Sequence, residues 1–136
     1  MMKMNFSDAM IFSDAINVHM DWFAKFQAAI ELGGSPQLDV ETIGLDNVCA
    51  LGKWLYSEFE GYSDRESYLQ LQFNHASFHQ EASKIARLIN ENNPDAARSM
   101  LSSSGAFFRA SRRVIMSIDQ CCKEFSAAIP EQLGAQ

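Results

Sequence analysis

The chain has 136 residues and a net charge of -6, so it is the size of one compact domain and lacks the clustered Lys and Arg that nucleic acid or an anionic membrane would require. No apolar run approaches the roughly 20 residues of a bilayer span, and the acidic start, residues 1–14, has no basic region of the kind that opens a signal peptide. Three cysteines, an odd count with Cys121 and Cys122 adjacent, fit reduced thiols better than a disulfide framework, and the expectation is one cytoplasmic domain over residues 1–136.

Residues 7–32 set Phe12, Ile16, His19, Phe23, Phe26 and Ile30 at steps of three or four, the period of an amphipathic helix. Ser7 is the expected N-cap, Gly33, Gly34 and Pro36 stop the helix, and His19 falls within its buried stripe. Residues 37–45 lose the period and read as an irregular connector. Asp46 is expected to cap a short helix over residues 47–59, ended by Gly61. Cys49 would lie in its first turn, where the unpaired backbone N–H groups favour a thiolate. Ser63 and Glu66 have the spacing of a capping box, and the helix that follows carries Tyr68, Leu71, His75, Phe78, His79, Ala82, Ile85, Ala86 and Ile89 on one stripe.

Asn93 and Pro94 open the last segment, residues 94–128, before Pro130. Its apolar positions come in pairs, Met100 with Leu101, Phe107 with Phe108, Val114 with Ile115 and Cys121 with Cys122, repeating every seven residues. That width predicts a second partner surface. Ser102, Ser103, Ser104 and Gly105 form helix weakly and predict a kink or break. With no strand pattern and short connections, the chain reads as all-α, an antiparallel four-helix bundle whose cysteine-bearing segment is short.

The chain has only three histidines, and two of them, His75 and His79, are four residues apart, hence on one helix face. His19, Cys49, His75 and His79 then come from three helices, mostly from apolar stripes. Two readings are open. Each imidazole can be a core histidine bonded to a backbone carbonyl, with Cys49 a small buried hydrophobe. Alternatively one metal ion satisfies all four, and three imidazoles with one thiolate are a zinc set. Nearby carboxylates would then accept the remaining imidazole hydrogens. A carboxylate-bridged di-iron centre is disfavoured, because no Glu-x-x-His pair occurs and Glu81 lies about 200° around the helix from His79.

Cys49-Ala50-Leu51-Gly52-Lys53-Trp54-Leu55, then Tyr68, then His75-Ala76-Ser77-Phe78-His79, with His19 ahead of the cysteine, resembles the bacterial chemoreceptor zinc-binding (CZB) domain over about residues 8–126. The resemblance implies that His19, Cys49, His75 and His79 are ligands of one Zn²⁺ in a regulatory sensor, not an enzyme. It also implies a homodimer coupled to an output or signalling partner of the chemoreceptor or diguanylate cyclase type, in bacterial signal transduction and chemotaxis. No such output sequence follows Phe125, so the chain is expected to be a stand-alone member or a domain of a longer protein, with a Met1 start similar to the cyclase arrangement. In the leading expectation zinc occupancy changes helix packing. The alternatives are a redox switch at Cys49, responding to oxidants such as hypochlorous acid, and a purely structural zinc bundle. Metal-dependent catalysis is disfavoured because four protein ligands leave no open position for water. Gly52 is expected to let backbone approach the ligand-bearing helices, Trp54 and Phe78 to pack, and Cys121 and Cys122 to make core or dimer contacts.

Overall fold

A computed structural model describes residues 6–34 and 37–126. Its helices are α1 (Phe6–Glu31), α2 (Val40–Gly44), α3 (Ala50–Ser57), α4 (Phe59–Tyr62), α5 (Glu66–Asn90), α6 (Pro94–Leu101) and α7 (Ala106–Ser126), with no strand among the described residues. The fold is the expected all-α helical bundle.

Contacts along the helices fix their directions. His19 of α1 packs on His75 and His79 of α5, and Gly34, just past the end of α1, lies against Ile89 near the end of α5, so the two helices run parallel. The Cys49 sulfur, at the start of α3, meets those histidines while Tyr68 at the start of α5 donates to the Leu55 carbonyl, so α3 runs the other way. Helix α7 also opposes α5, with Phe107 on Phe78, Ser117 bonded to Asn74 and Cys121 bonded to Ser67. Up, down, up, down is the order α1, α3, α5, α7.

Helix α5 is central because its stripe is buried along its whole length, from Tyr68 to Ile89. The paired apolar positions of α7 have a simple cause. Phe107 is fully buried, with ring centroids 5.1 Å from Phe78 of α5 and 4.9 and 5.6 Å from Phe23 and Phe26 of α1, and Phe108 reaches Phe23 as well. The wide stripe serves two helices of the same chain, so it does not by itself require the second partner surface that its width predicts. Cys121 is a core residue and Cys122 is half-buried against that core.

Several helix boundaries differ from expectation. Helix α1 already includes Ser7, and Pro36 and Pro130 lie outside the described residues. The connector at 37–45 contains α2, a single turn capped by the Asp39 carboxylate, which accepts from the Thr42 N–H at 3.2 Å; one turn is too short to show a period. The cap of α3 is Cys49 itself, not Asp46, and Gly61 sits inside α4. Helix α5 starts at Glu66 without a side-chain cap, so the Ser63 pattern is not used. The expected break at 102–105 separates α6 from α7.

Two turns set the bundle's upper end. Past α1, the Gly33 N–H bonds to the Ile30 carbonyl and the Gly34 N–H to the Ala29 carbonyl, a Schellman closure with Gly33 at φ 73°, followed by Gly34 at φ 78°. Asn92 closes α5 in the same way at φ 60°, bonding to Ile89 while Asn93 bonds to Leu88. At Gly52 the constraint is room. A methyl group there would collide with the Asp46 carbonyl and lie 3.0 Å from the Asn47 Cα, so glycine lets the 46–49 loop fold across the first turn of α3. The close approach is to that loop, not to the ligand-bearing helices as expected.

Gly34→Ala combines a left-handed φ with a Cβ 2.8 Å from the Ile89 carbonyl oxygen, and should cost about 1–3 kcal/mol in chemical denaturation followed by helicity. Asn92→Gly keeps the same conformation with less steric penalty, and should leave stability unchanged or raise it by up to about 1 kcal/mol.

Candidate metal centre

The site grows from three local facts. His19 sits in the middle of α1 on its inward face, at 1% exposure. One turn earlier on that helix is the Ala15 carbonyl, and the His19 Nδ1–H donates to it at 2.6 Å, which leaves Nε2 as the unprotonated nitrogen. His79 of α5 donates its Nδ1–H to the Ile43 carbonyl of α2 at 2.9 Å, which again frees Nε2. Two of the three imidazoles are thus held in one tautomer by backbone oxygen.

The third is different. His75 is fully buried, and its Nδ1 has no hydrogen-bond partner in the protein. Its Nε2 lies 3.2 Å from the His79 Nε2 and 3.3 Å from the Cys49 Sγ, while His79 Nε2 is 3.8 Å from that sulfur. The His19 ring completes the group, with centroids 5.1 Å from His75 and 5.7 Å from His79. One ligand atom from each of His19, Cys49, His75 and His79 can be chosen so that all lie within 4.8 Å of one another.

These distances can be compared with a metal's needs. Tetrahedral zinc with bonds of about 2.05 Å to nitrogen and about 2.3 Å to sulfur has edges of about 3.3 Å between nitrogens and about 3.6 Å from nitrogen to sulfur. The nitrogen pair at 3.2 Å and the two nitrogen–sulfur separations at 3.3 and 3.8 Å fall within a few tenths of an ångström of those edges. The donor set fits as well, since imidazole and thiolate together suit zinc and exclude the oxygen-seeking Mg²⁺ and Ca²⁺.

The electrostatics explain why such a cluster needs a cation. Burial lowers His19 to about 4 and His75 to about 2, and lowers His79, so near neutral pH all three rings are uncharged. The Cys49 sulfur caps α3, accepting from the Gly52 N–H at 3.4 Å. That contact favours a thiolate, as the sequence suggests, but burial outweighs it and the thiol is pushed up. Without a cation the site holds three neutral rings and a neutral thiol, with lone pairs crowded together.

The surroundings are mostly apolar. Phe78 stands edge-on to His19 at 4.8 Å and has no exposed surface, so it closes one side as expected. Trp54 packs with Tyr62 and Tyr68 below the site, an anchor and not a participant. The expected carboxylate acceptors for His19 and His79 are replaced by the carbonyls of Ala15 and Ile43. Sequence reasoning missed both, because a backbone carbonyl has no residue signature. Glu81 turns outward to pair with Lys84. Cys49 is half-buried, which leaves the cluster its one partly exposed member.

With this geometry in view, comparison with known proteins is informative. No curated protein and no solved structure matches the chain. A family profile described as the chemoreceptor zinc-binding domain matches residues 19–86, half of the chain, running from the first histidine to just past the last. The match is narrower than the resemblance over residues 8–126. It takes in all four converging residues, with the second half of α1, all of α3 and most of α5, and the chain belongs to the chemoreceptor zinc-binding domain family.

Proposed function

We propose that His19, Cys49, His75 and His79 hold one Zn²⁺ and that this regulatory domain reports zinc occupancy through its helix packing. The convergence of three imidazoles and one sulfur at tetrahedral spacing carries the reading. Four protein ligands close the coordination sphere, which favours sensing or structure over catalysis.

The piece suited to respond is α3. It has eight residues against 25 in α5, and at its Cys49 end the sulfur meets the histidines while Leu51 packs in the core. Its other end is anchored by the Tyr68 hydroxyl on the Leu55 carbonyl and by Trp54 in the aromatic cluster. Loss of zinc removes the tie at the sulfur and leaves α3 held by Leu51, Trp54 and Leu55. Two packings of α3 that differ in zinc affinity are sufficient for a switch.

Homodimerisation and coupling to a chemoreceptor or cyclase output belong to the same reading. Support for a dimer comes from the outer face of α5 and α7, where Leu69, Phe73 and Met116 are exposed, Phe73 by 70%. Met116 and Arg113 line a groove of about 430 Å³ there, and Glu66, Leu69 and Phe73 line its neighbour. A patch with an acid at one side and a base at the other suits pairing about a two-fold axis.

Redox sensing at Cys49 is a second reading, favoured by the contrast among the thiols. Cys121 is buried, donates to the Ser67 carbonyl at 3.1 Å and is pushed up to about 12, whereas Cys49 is partly exposed. A thiolate held by a cation in that position is more open to an oxidant than the buried Cys121 thiol.

Protein purified without added metal should contain about one zinc per chain, and His79→Ala should lower affinity by at least about 100-fold. Equal, near-zero zinc in both proteins contradicts the site. Because the rings are already neutral near pH 7, only the Cys49 proton must leave when zinc binds; the apparent Kd should rise about tenfold per unit as pH falls from 8 to 7. A steeper slope would mean that the histidines titrate too. Stripping zinc should leave most of the helicity in place, since Phe23, Phe26, Phe78 and Phe107 join α1, α5 and α7 without using the four converging side chains, whereas a structural staple would unfold.

A further inference from the structure

We infer that Gly44 is a positioning residue for the metal centre, and that α2 is a strap whose docking on α5 is coupled to metal occupancy; this rests on the zinc reading above. The strap's two ends are held by different means. At its start, the Asn90 side chain exchanges two hydrogen bonds with the backbone of Leu38, accepting from its N–H and donating to its carbonyl, both at 2.9 Å. Asp39 then caps α2. At its finish, the Ile43 carbonyl receives the His79 Nδ1–H.

Gly44 sits beside that carbonyl. Its backbone is not in the left-handed region, so conformational freedom does not explain the glycine. Room does. A Cβ at Gly44 would lie 3.1 Å from the Cβ of Ser83, one turn past His79 on α5, and a Cβ cannot rotate out of the way. A larger residue must shift the end of α2 away from α5 by a few tenths of an ångström, which lengthens the bond from the imidazole to the Ile43 carbonyl.

The coupling follows from the tautomer. With Nε2 committed to a cation, the His79 proton must be on Nδ1, where it meets the Ile43 carbonyl. With Nε2 free, the proton can move to Nε2 and the strap loses its bond. Metal binding and strap docking then favour each other by the same factor. Groups that hold a ligand histidine in this way change metal affinity by about 10–100-fold.

The test compares zinc affinity, by competition with a chromogenic chelator, in the parent, in Gly44→Ala and in Gly44→Ala with Ser83→Gly. The single variant should bind about tenfold or more weakly, and the second change, which removes the opposing Cβ, should bring affinity back to within about threefold of the parent. In zinc-loaded protein labelled with ¹⁵N, the His79 Nδ1–H resonance should be slow to exchange in the parent and lost in the single variant. Asn90→Ala, a half-buried change at the start of the strap, should weaken zinc in the same direction if Gly44→Ala does not fold. Unchanged affinity in Gly44→Ala, or a loss that Ser83→Gly does not restore, overturns the strap while the parent's zinc leaves the centre intact. No zinc in the parent overturns the centre and the strap with it.

Discussion

The structure depends on one electrostatic problem, three imidazoles and a thiol brought within a few ångströms of one another in a largely buried cluster. Two of the rings have their Nδ1 hydrogens committed to backbone carbonyls, which aims their bare nitrogens at the same point. The third has a buried nitrogen with no protein partner. An arrangement of this kind is unfavourable for a bare protein, where an unsatisfied buried polar group costs about 1–3 kcal/mol. It becomes favourable around a cation, and the bundle is built so that the segments supplying the ligands meet at one level.

From that constraint the division of labour among the helices follows. Helices α1, α5 and α7 form a frame through the Phe23, Phe26, Phe78 and Phe107 cluster, which would persist with the site empty of charge. The shorter pieces, α2 and α3, are attached to that frame partly through the histidines themselves. Helix α3 brings the sulfur, and α2 brings the carbonyl that fixes His79. A stable frame with two short elements hung on the ligands is what a domain needs if occupancy is to be read as shape.

Much of this was legible in the chain because apolar periodicity and ligand spacing are side-chain properties. The stripe from Tyr68 to Ile89 gave α5 and the inward direction of His75 and His79, and the cysteine motif with Gly52 and Trp54 gave the fourth member. The serine-rich stretch before α7 marked a real break. What was not legible lies in the backbone. The Ala15 and Ile43 carbonyls have no sequence signature, α2 is shorter than any period can reveal, and Cys49 serves as a cap because its loop folds back over Gly52. The Ser63 capping pattern went unused, since α5 begins at Glu66. The expected thiolate at Cys49 failed for a physical reason: a helix terminus stabilises charge less than burial opposes it.

X-ray absorption at the zinc edge tests the central claim most directly, because it counts the atoms around the metal. The account predicts three nitrogen scatterers at about 2.0 Å and one sulfur at about 2.3 Å, with the imidazole signature in the outer shells. A shell with no sulfur, or with oxygen in place of one of the nitrogens, would contradict the assignment of His19, Cys49, His75 and His79 as a closed set.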